Sequence, residues 1–386
     1  MKDKNIWKIT LVTTNDCNMK CLYCYEVHKS PRHMTLETAK AVVDHEMARF
    51  PEDAEIDIEM IGGEPFLPQA FQVFSGIVDY VDEKYSDRSV TYIVTTNGTL
   101  VHGAVQDFLM KNSHRIALSL SLDGRKRSHD MNRPMRDGSG SFDRIDIPFF
   151  QNYPLKVNAK MTVSPLTLKY LADDIIYVSE TLGFAPTATL ATGIPWEKDF
   201  NADELAEQLS ILVDYYTKNP MLPLPLMLSS ELEGVFADPD PSCKPCGAGN
   251  ITRAFSYDCI DEDGNITWYP CQGLSPISIG EETAERFKCC TFEDFHLNEP
   301  CASCKFRAIC HACQATNFGS TGDVESQSAV MCYMDRLCAL ATSKILYNRY
   351  CNAKHESLTP EDQAMLKAIY TIQTEIFDNT KHTFLS

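Results

Sequence analysis

Basic side chains are scarce in this sequence. Its 386 residues include 35 Lys and Arg against 53 Asp and Glu, so the formal net charge is −18. No segment gathers the Lys and Arg side chains that binding to a polyanion needs. We therefore expect no nucleic acid among the partners of this protein.

Long apolar segments are also lacking. No uninterrupted run reaches the ~18 apolar residues of a membrane-spanning helix. Residues 1–8 are polar and charged, and the apolar stretch after them is short and broken by threonines, unlike a signal peptide. The sequence predicts a cytoplasmic protein with no membrane partner.

Cysteine is absent between residues 25 and 242, although the whole chain has 16 cysteines. Three of them lie within residues 17–24, and all the others lie within residues 243–351. A disulfide framework is not expected in a reducing cytoplasm, so this abundance indicates metal ligation. The chain is predicted to carry two metal-binding regions separated by a cysteine-free body.

That body shows the pattern of repeated βα units. Short β-branched runs alternate with longer amphipathic runs, which is typical of an α/β fold around a parallel sheet. Six units are too few for a closed eight-fold barrel, so we expect a partial (β/α)6 TIM-like barrel with reactive groups on the loops that follow the strands. The predicted strands are 6–14, 55–62, 90–96, 116–122, 157–163 and 188–194, and the predicted helices lie near 36–49, 68–84, 101–111, 142–151, 166–182 and 202–217.

A proline-rich stretch follows the predicted barrel and indicates a linker. Beyond it, residues 261–265 carry a strong hairpin-turn signal between two short strand-like runs. Cysteine-rich loops and two helices, near 332–350 and 360–376, come next. The predicted organisation is a barrel over 1–218, a linker over 219–242, a small cysteine-rich domain with a β-hairpin and helices over 243–351, and a helical tail over 352–386.

The first three cysteines form a C-x3-C-x2-C triad. Cys17, Cys21 and Cys24 follow the first predicted strand on one short loop. Three thiolates can hold three irons of a [4Fe–4S] cluster and leave the fourth iron without a protein ligand. The alternative is zinc, but structural zinc usually has four protein ligands, and no fourth Cys or His follows at the required spacing.

This triad resembles the motif of the radical S-adenosylmethionine (SAM) enzymes, with Tyr23 as the aromatic residue before the third cysteine. The resemblance implies that the open iron chelates the amino and carboxylate groups of SAM. It also implies that an electron passed to the sulfonium releases methionine and a 5′-deoxyadenosyl radical, which abstracts hydrogen from the substrate. A reductase such as flavodoxin or ferredoxin would be the electron-donating partner.

Four further segments resemble SAM-binding motifs of the same family. One is Gly62-Gly63-Glu64-Pro65, where the Glu64 carboxylate would receive the methionine ammonium. The others lie at the ends of the third and fourth strands and in the segment after the fourth, where hydroxyls, amides and an arginine would meet the ribose and the carboxylate. The resemblance assigns cofactor binding to Tyr23, Gly62, Gly63, Glu64, Pro65, Thr95, Asn97, Ser121 and Arg133.

The later cysteines form a C-x2-C-x5-C-x2-C array from Cys301 to Cys313, followed by Cys332. With the upstream Cys246 and Cys271, the array resembles the SPASM domain, which carries two auxiliary [4Fe–4S] clusters in some radical SAM enzymes. Two structural zinc ions are the alternative. The resemblance assigns Cys246, Cys271 and Cys313 to the first auxiliary cluster, with Cys243 or Cys259 as the fourth ligand, and Cys301, Cys304, Cys310 and Cys332 to the second.

Such a three-cluster enzyme is expected to oxidise its substrate, because an auxiliary cluster can accept an electron from a substrate radical. Relatives with this architecture mostly crosslink ribosomally made peptides through thioether or carbon–carbon bonds, or oxidise Ser or Cys to formylglycine in sulfatases. In the sulfatase maturases, the residue after the cysteine that ends the hairpin is an aspartate, which acts as the base that deprotonates the substrate. This chain has Gln272 there, and glutamine cannot act as a base. We therefore expect a peptide-crosslinking enzyme rather than a sulfatase maturase, with a small-molecule radical oxidase as a further alternative.

The identity of the catalytic base stays open at the level of the sequence. Asp123, His129 and Glu26 are the candidates, since each follows a predicted strand or the cysteine triad.

Overall fold

The structure is a computed structural model of the chain. It describes residues 6–236, 248–291, 298–299, 301–310, 313–353 and 357–376. Cys243 and Cys246, two predicted cluster ligands, and the end of the predicted linker lie outside the described residues.

A seven-stranded sheet is the centre of the fold, and its strand order is β6-β5-β4-β3-β2-β1-β7. Neighbouring strands from β1 to β5 are parallel, as βα units require, and β7 is parallel to β1. The predicted α/β fold with parallel strands is therefore confirmed. The strands are β1 Ile6–Thr14, β2 Glu55–Gly62, β3 Ser89–Thr96, β4 Ile116–Ser121, β5 Asn158–Val163, β6 Ala185–Leu190 and β7 Thr252–Phe255.

The two faces of the sheet differ in polarity. In β2, the apolar residues Ile56, Ile58 and Met60 are buried, while the alternating Asp57 and Glu59 are only half-buried. Since side chains alternate between faces along a strand, Ile56, Ile58 and Met60 lie on one face of the sheet, and Asp57 and Glu59 lie on the other. The carboxyl ends of the parallel strands lie along one edge of the sheet.

Helices alternate with the strands, and several begin at residues that cap them. The Thr35 hydroxyl accepts a hydrogen bond from the Thr38 N–H at the start of the first helix, and Thr359 and Asp362 form a capping box at the start of the last. The helices are α1 Leu36–Arg49, α2 Pro68–Lys84, α3 Ala104–Lys111, α4 Lys126–Asn132, α5 Ile147–Gln151, α6 Leu171–Ile176, α7 Trp196–Asp199, α8 Ala202–Lys218, α9 Pro276–Ile279, α10 Glu281–Ala284, α11 Gln314–Thr321, α12 Ala329–Asn352 and α13 Pro360–Thr371. No helix in the described ranges is long and apolar enough to cross a membrane.

The chain divides into two compact units. The first contains residues 1–122, 129–160 and 244–294, and the second contains 123–128, 161–243 and 295–386. In the second unit, α12 packs along α8, and the Arg349 Nε donates to the Tyr216 carbonyl at 3.0 Å. A separate apolar cluster of that unit includes Leu232, Phe306 and Ile369.

The last two strands differ from their predicted positions. β6 covers Ala185–Leu190 instead of the predicted 188–194. Gly193, within the predicted strand, has a φ of 70°, a left-handed conformation that a strand does not accommodate. The predicted hairpin around residues 261–265 is present as two isolated antiparallel bridges, Ala254 to Tyr269 and Ile260 to Ile266. Its first strand also pairs with β1, which the sequence pattern did not predict.

The loop after β4 is fixed by a tight turn at Gly124. This glycine has a φ of 95°, and a Cβ there would overlap the Cβ of Asp174. The Asp174 Oδ1 accepts a hydrogen bond from the Arg125 N–H at 2.9 Å, while its Oδ2 is buried without a hydrogen-bond partner. Burial raises the pKa of Asp174 to about 6, even though the nearby Ser128 hydroxyl, the Arg125 N–H and the charges of Arg125 and Arg127 lower it.

The raised pKa of Asp174 predicts a pH-dependent stability difference. In the folded protein Asp174 binds its proton up to about pH 6, whereas the unfolded chain releases it near pH 4. The contribution of Asp174 to stability therefore falls as the pH rises through this window. Asp174→Asn keeps the acceptor for Arg125 and does not titrate. The free energy of unfolding of the variant minus that of the wild type should therefore rise by about 1 kcal/mol between pH 5 and pH 7. Urea unfolding of both proteins at the two pH values measures this difference, and an unchanged difference would contradict the burial of the carboxyl group.

Candidate functional site

The loop that carries the first three cysteines follows β1 at the carboxyl edge of the sheet. Cys17 is buried in a small cluster with Met19 and Met135, and Cys21 packs against the same cluster. Cys24, three residues after Cys21, is half-buried. The structure thus places the three predicted ligands on one loop, beside the edge where a partial barrel carries its reactive groups.

Two glycines allow this loop to lie against the end of β2. The Gly63 N–H donates to the Thr14 carbonyl at 3.0 Å, and the Glu64 N–H donates to the Asp16 carbonyl at 2.9 Å. A Cβ at Gly63 would overlap the Asp16 carbonyl and lie 2.9 Å from the Cys17 nitrogen. These backbone atoms therefore position the cysteine loop, a role that the sequence resemblance did not suggest.

Glu64 is buried beneath this contact, and its carboxylate accepts three hydrogen bonds from the chain. Oε1 accepts from the Thr96 hydroxyl at 2.7 Å and the Phe66 N–H at 3.2 Å, and Oε2 accepts from the Asn97 N–H at 2.8 Å. Burial raises the pKa of Glu64 to about 7, and these three hydrogen bonds act in the opposite direction. The carboxylate is held rigidly, which suits a group that must orient a charged ligand.

The segment after β3 is bonded to the cysteine loop. The Asn97 side-chain amide donates to the Asn18 side-chain oxygen at 2.8 Å, and the Asn18 amide donates to the Thr99 hydroxyl at 2.8 Å. Thr99 in turn donates its N–H and its hydroxyl to the Asn97 side-chain oxygen. Asn97, predicted as a cofactor ligand, thus holds the residue that follows Cys17. Thr95 is half-buried beside Ser119 in the sheet.

Residues 132–136 run along the other side of the cysteine loop. The Leu22 and Lys20 N–H groups donate to the Asn132 and Pro134 carbonyls, and Met19 forms an antiparallel bridge with Met135. An ion pair between Arg136 and Asp16 closes the far end of this pairing. No periodic pattern in the sequence predicts this pairing, because a single pair of short loop segments has none.

This pairing brings two predicted cofactor-binding residues together. The Arg133 guanidinium carbon lies 5.2 Å from the centre of the Tyr23 ring, in cation–π contact, and both side chains are buried. Ser121, the last residue of β4, is also buried, and it lies opposite Lys160 in the sheet register.

Glu26 is bound by the C-terminal part of the first unit. Its carboxylate accepts a hydrogen bond from the Gln272 side-chain amide, whose oxygen accepts one from the Tyr25 hydroxyl at 3.0 Å. Burial raises the pKa of Glu26 to about 7, while the ammonium group of Lys29 lowers it. Gln272, which the sequence singled out only for its inability to accept a proton, is therefore part of the structure beside the triad.

The other two candidate bases are buried in different surroundings. The Asp123 Oδ1 accepts the Thr162 N–H at 2.9 Å, at the end of β5. His129 is fully buried on α4, and its ring stands edge-on to Phe142 at 5.6 Å. Both contacts are structural, so neither residue is singled out as a base by its geometry.

The predicted ligands of the auxiliary clusters are divided between the two units. In the first unit, Cys259 is buried and Cys271 half-buried, and burial raises the pKa of the Cys259 thiol to about 12. In the second unit, the Arg336 Nη2 donates to the Cys304 Sγ at 3.4 Å, and the thiols of Cys310 and Cys332 also lie near this guanidinium. The backbone turn from Cys301 to Cys304 is closed by a hydrogen bond of 3.3 Å, and Cys313 caps α11.

The donor chemistry of both groups suits iron–sulfur ligation. All the described cysteines are free thiols. Within the described ranges, no three Cys, His, Asp or Glu side chains already stand in the arrangement of a metal site. What fits a cluster is the set of thiol donors itself, three on one backbone-held loop and three around one guanidinium.

Sequence comparisons relate the chain to one described family and to several individual proteins. Residues 8–143 match the family described as "4Fe-4S single cluster domain". A "Radical SAM cyclopropyl synthase TigE" from Paramaledivibacter caminithermalis is 25% identical over 57% of this chain and 48% of its own length. A "Cysteine-type anaerobic sulfatase-maturating enzyme" from Clostridium novyi is 25% identical over 45% of this chain and 47% of its own length. An uncharacterized protein of Methanocaldococcus jannaschii, MJ0907, is 30% identical over 44% of this chain and 57% of its own. The chain thus spans about half the length of these relatives.

Solved structures show the same fold. A structure described as "Native anSMEcpe with bound AdoMet" superposes with a TM-score of 0.68, 18% identity and coverage of 90% of this chain and 100% of that one. Streptococcus suis SuiB bound to the precursor peptide SuiA superposes with a TM-score of 0.55, 13% identity and coverage of 85% of this chain and 76% of that one.

Proposed function

We propose that this chain uses SAM and a [4Fe–4S] cluster to modify a ribosomally made peptide, a proposal supported by its similarity to a 4Fe-4S family, a radical SAM synthase and a sulfatase-maturating enzyme. The cluster would be held by Cys17, Cys21 and Cys24. The observation that carries this proposal is the packing of their loop between the Gly63 turn and residues 132–136, because that packing presents three thiols at the carboxyl edge of the sheet. When bound, the cluster and SAM supply the radical that removes a hydrogen atom from the substrate.

The residues around the loop would bind and orient SAM. Glu64, whose carboxylate is fixed by three hydrogen bonds, would receive the ammonium group. Arg133 would receive the carboxylate while its guanidinium stays against Tyr23, and Ser121 would donate its hydroxyl. The backbone of Gly62, Gly63 and Pro65, with Thr95 and Asn97, completes this set of proposed contacts. Glu64, Asn97, Ser121 and Arg133 are buried, and this burial would keep water away from the radical.

Oxidation of the substrate would use auxiliary clusters in the second cysteine group. Arg336 lies among the thiols of Cys304, Cys310 and Cys332, which supports a cluster there with Cys301 as the fourth ligand. For the other cluster we propose Cys246, Cys271 and Cys313, with Cys243 or Cys259. Cys259 is buried in the first unit, and Cys243 lies outside the described residues, so both stay candidates for the fourth ligand.

Gln272 supports crosslinking over formylglycine formation. It stands directly after Cys271, and its amide and oxygen are engaged with Glu26 and Tyr25, so this position provides no proton acceptor. Formylglycine formation remains the second candidate, because the relatives include a cysteine-type sulfatase-maturating enzyme. A radical oxidase acting on a small molecule is the third.

Mass spectrometry of substrates separates these functions. The anaerobically reconstituted protein, with SAM and dithionite, is incubated with peptides encoded beside its gene and with a sulfatase-derived peptide containing Cys or Ser. A peptide that loses two hydrogen atoms and gains a crosslink supports the proposal. Formylglycine in the sulfatase peptide alone supports the second candidate, and 5′-deoxyadenosine released with every peptide unchanged supports the third. A protein that carries the cluster but releases no 5′-deoxyadenosine would contradict the proposal as a whole.

A further inference from the structure

A lysine outside every recognised motif contacts the cysteine triad. The Lys29 ammonium donates to the Cys24 Sγ at 2.8 Å. Lys29 lies five residues after Cys24, and its side chain is half-buried, so the contact is partly shielded from water. Hydrogen bonds from charged donors are stronger than neutral ones, and partial burial strengthens them further.

Buried acidic groups lie near this ammonium. Its positive charge lowers the pKa of the buried Glu26 carboxyl against the larger effect of burial, and the Glu26 carboxylate also accepts a hydrogen bond from the Gln272 amide. The contact between Lys29 and Cys24 therefore places a cation beside the triad, next to a buried carboxylate.

We propose that Lys29 raises the reduction potential of the cluster held by Cys17, Cys21 and Cys24. This inference depends on the proposed cluster and adds a residue that tunes it. An iron–sulfur cluster gains one negative charge on reduction, and a positive N–H donor at a ligand sulfur stabilises the more negative state. Lys29 acts through Cys24 and has no contact with substrate in this account, so it is a positioning and tuning residue.

The test compares midpoint potentials of four proteins. Wild type, Lys29→Met, Lys29→Arg and Lys20→Met are reconstituted anaerobically and titrated without SAM, and the reduced cluster is followed by electron paramagnetic resonance. The spectrum of a Cys17→Ala/Cys21→Ala/Cys24→Ala variant is subtracted to remove auxiliary clusters. Lys20 is the matched control, because it carries the same charge on the same loop and is exposed.

In Lys29→Met the ratio of reduced to oxidised cluster should be about tenfold lower than in the wild type at equal potential, which corresponds to a midpoint about 59 mV lower for a one-electron couple. Lys29→Arg and Lys20→Met should stay close to the wild type. If Lys29→Met takes up no iron, Lys29→Gln replaces it, and a midpoint lower than that of Lys29→Arg is expected because Gln donates without charge.

Two results would overturn the inference. One is a Lys29→Met or Lys29→Gln midpoint equal to that of the wild type. The other is an equal shift in Lys20→Met, which would mean that loop charge alone sets the potential. If the wild type and the triple-alanine variant had the same spectrum, the triad would hold no cluster, and the proposed function would be overturned instead.

Discussion

Gly63→Ala is expected to displace the cysteine loop and to lower the free energy of unfolding by about 3 kcal/mol or more. The added methyl group would overlap the Asp16 carbonyl and crowd the Cys17 nitrogen, and both are backbone atoms that cannot rotate away. The hydrogen bonds from Gly63 and Glu64 to the loop would be lost with this shift. Urea unfolding measures the loss, and iron analysis should show the cluster of the triad missing.

Gly319→Ala is the control for this substitution. Gly319 lies within α11, and among the described residues a Cβ there would meet the Gly193 Cα at an ordinary 3.7 Å and no closer atom. Alanine favours a helix, so this variant should be as stable as the wild type or more stable by about 0.5–1 kcal/mol. If Gly63→Ala were as stable as this control and kept its iron, the close approach of the two loops would not exist.

Glu64→Gln should weaken SAM binding by a factor of about 10–100. The substitution removes the charge that would pair with the methionine ammonium, and a hydrogen bond to a charged group contributes about 1.5–3 kcal/mol. The amide also places a donor against the Thr96 hydroxyl or the Asn97 N–H, so the side chain loses part of its fixed orientation. Equilibrium dialysis of the reconstituted protein with labelled SAM measures the affinity.

Glu59→Gln provides the comparison for Glu64. Glu59 lies within β2, five residues before Glu64, where its carboxylate accepts from the Thr10 hydroxyl at 3.1 Å and pairs with Lys8 at 3.6 Å. Its position inside the strand separates it from the proposed ammonium site beyond the end of β2, so the SAM affinity of Glu59→Gln should match the wild type. Equal losses in both variants would show that negative charge in general, rather than Glu64, attracts SAM.

The sequence pattern predicted the strands of the barrel well where hydrophobic alternation is strong. β1 and β2 have the predicted bounds, and β3 to β5 differ by one residue at an end. α4 was missed because Lys126–Asn132 is short and polar, with no apolar stripe to reveal it. The pairing of β7 with β1 was missed because parallel partners far apart in sequence leave no local signal.

The sequence predicts the chemistry of the candidate site, but it does not predict the contacts that hold the cysteine loop in place. The cysteine spacing identified the loop, whereas the contacts that hold it come from Gly63, Asn97 and Met135, which are distant in sequence. Lys29 contacts the site through one side-chain hydrogen bond and Gln272 through two, and no residue pattern encodes such contacts. The ligand set of the first auxiliary cluster stays a prediction, since Cys243 and Cys246 lie outside the described residues.

Iron content and SAM cleavage of the Cys17→Ala/Cys21→Ala/Cys24→Ala variant test the central claim most directly. The reconstituted wild type should hold about 12 irons in three clusters, and the variant should keep about 8 while releasing no 5′-deoxyadenosine from SAM. Zinc in place of iron in the wild type, or undiminished SAM cleavage by the variant, would contradict the assignment of Cys17, Cys21 and Cys24 as the ligands of a SAM-cleaving cluster.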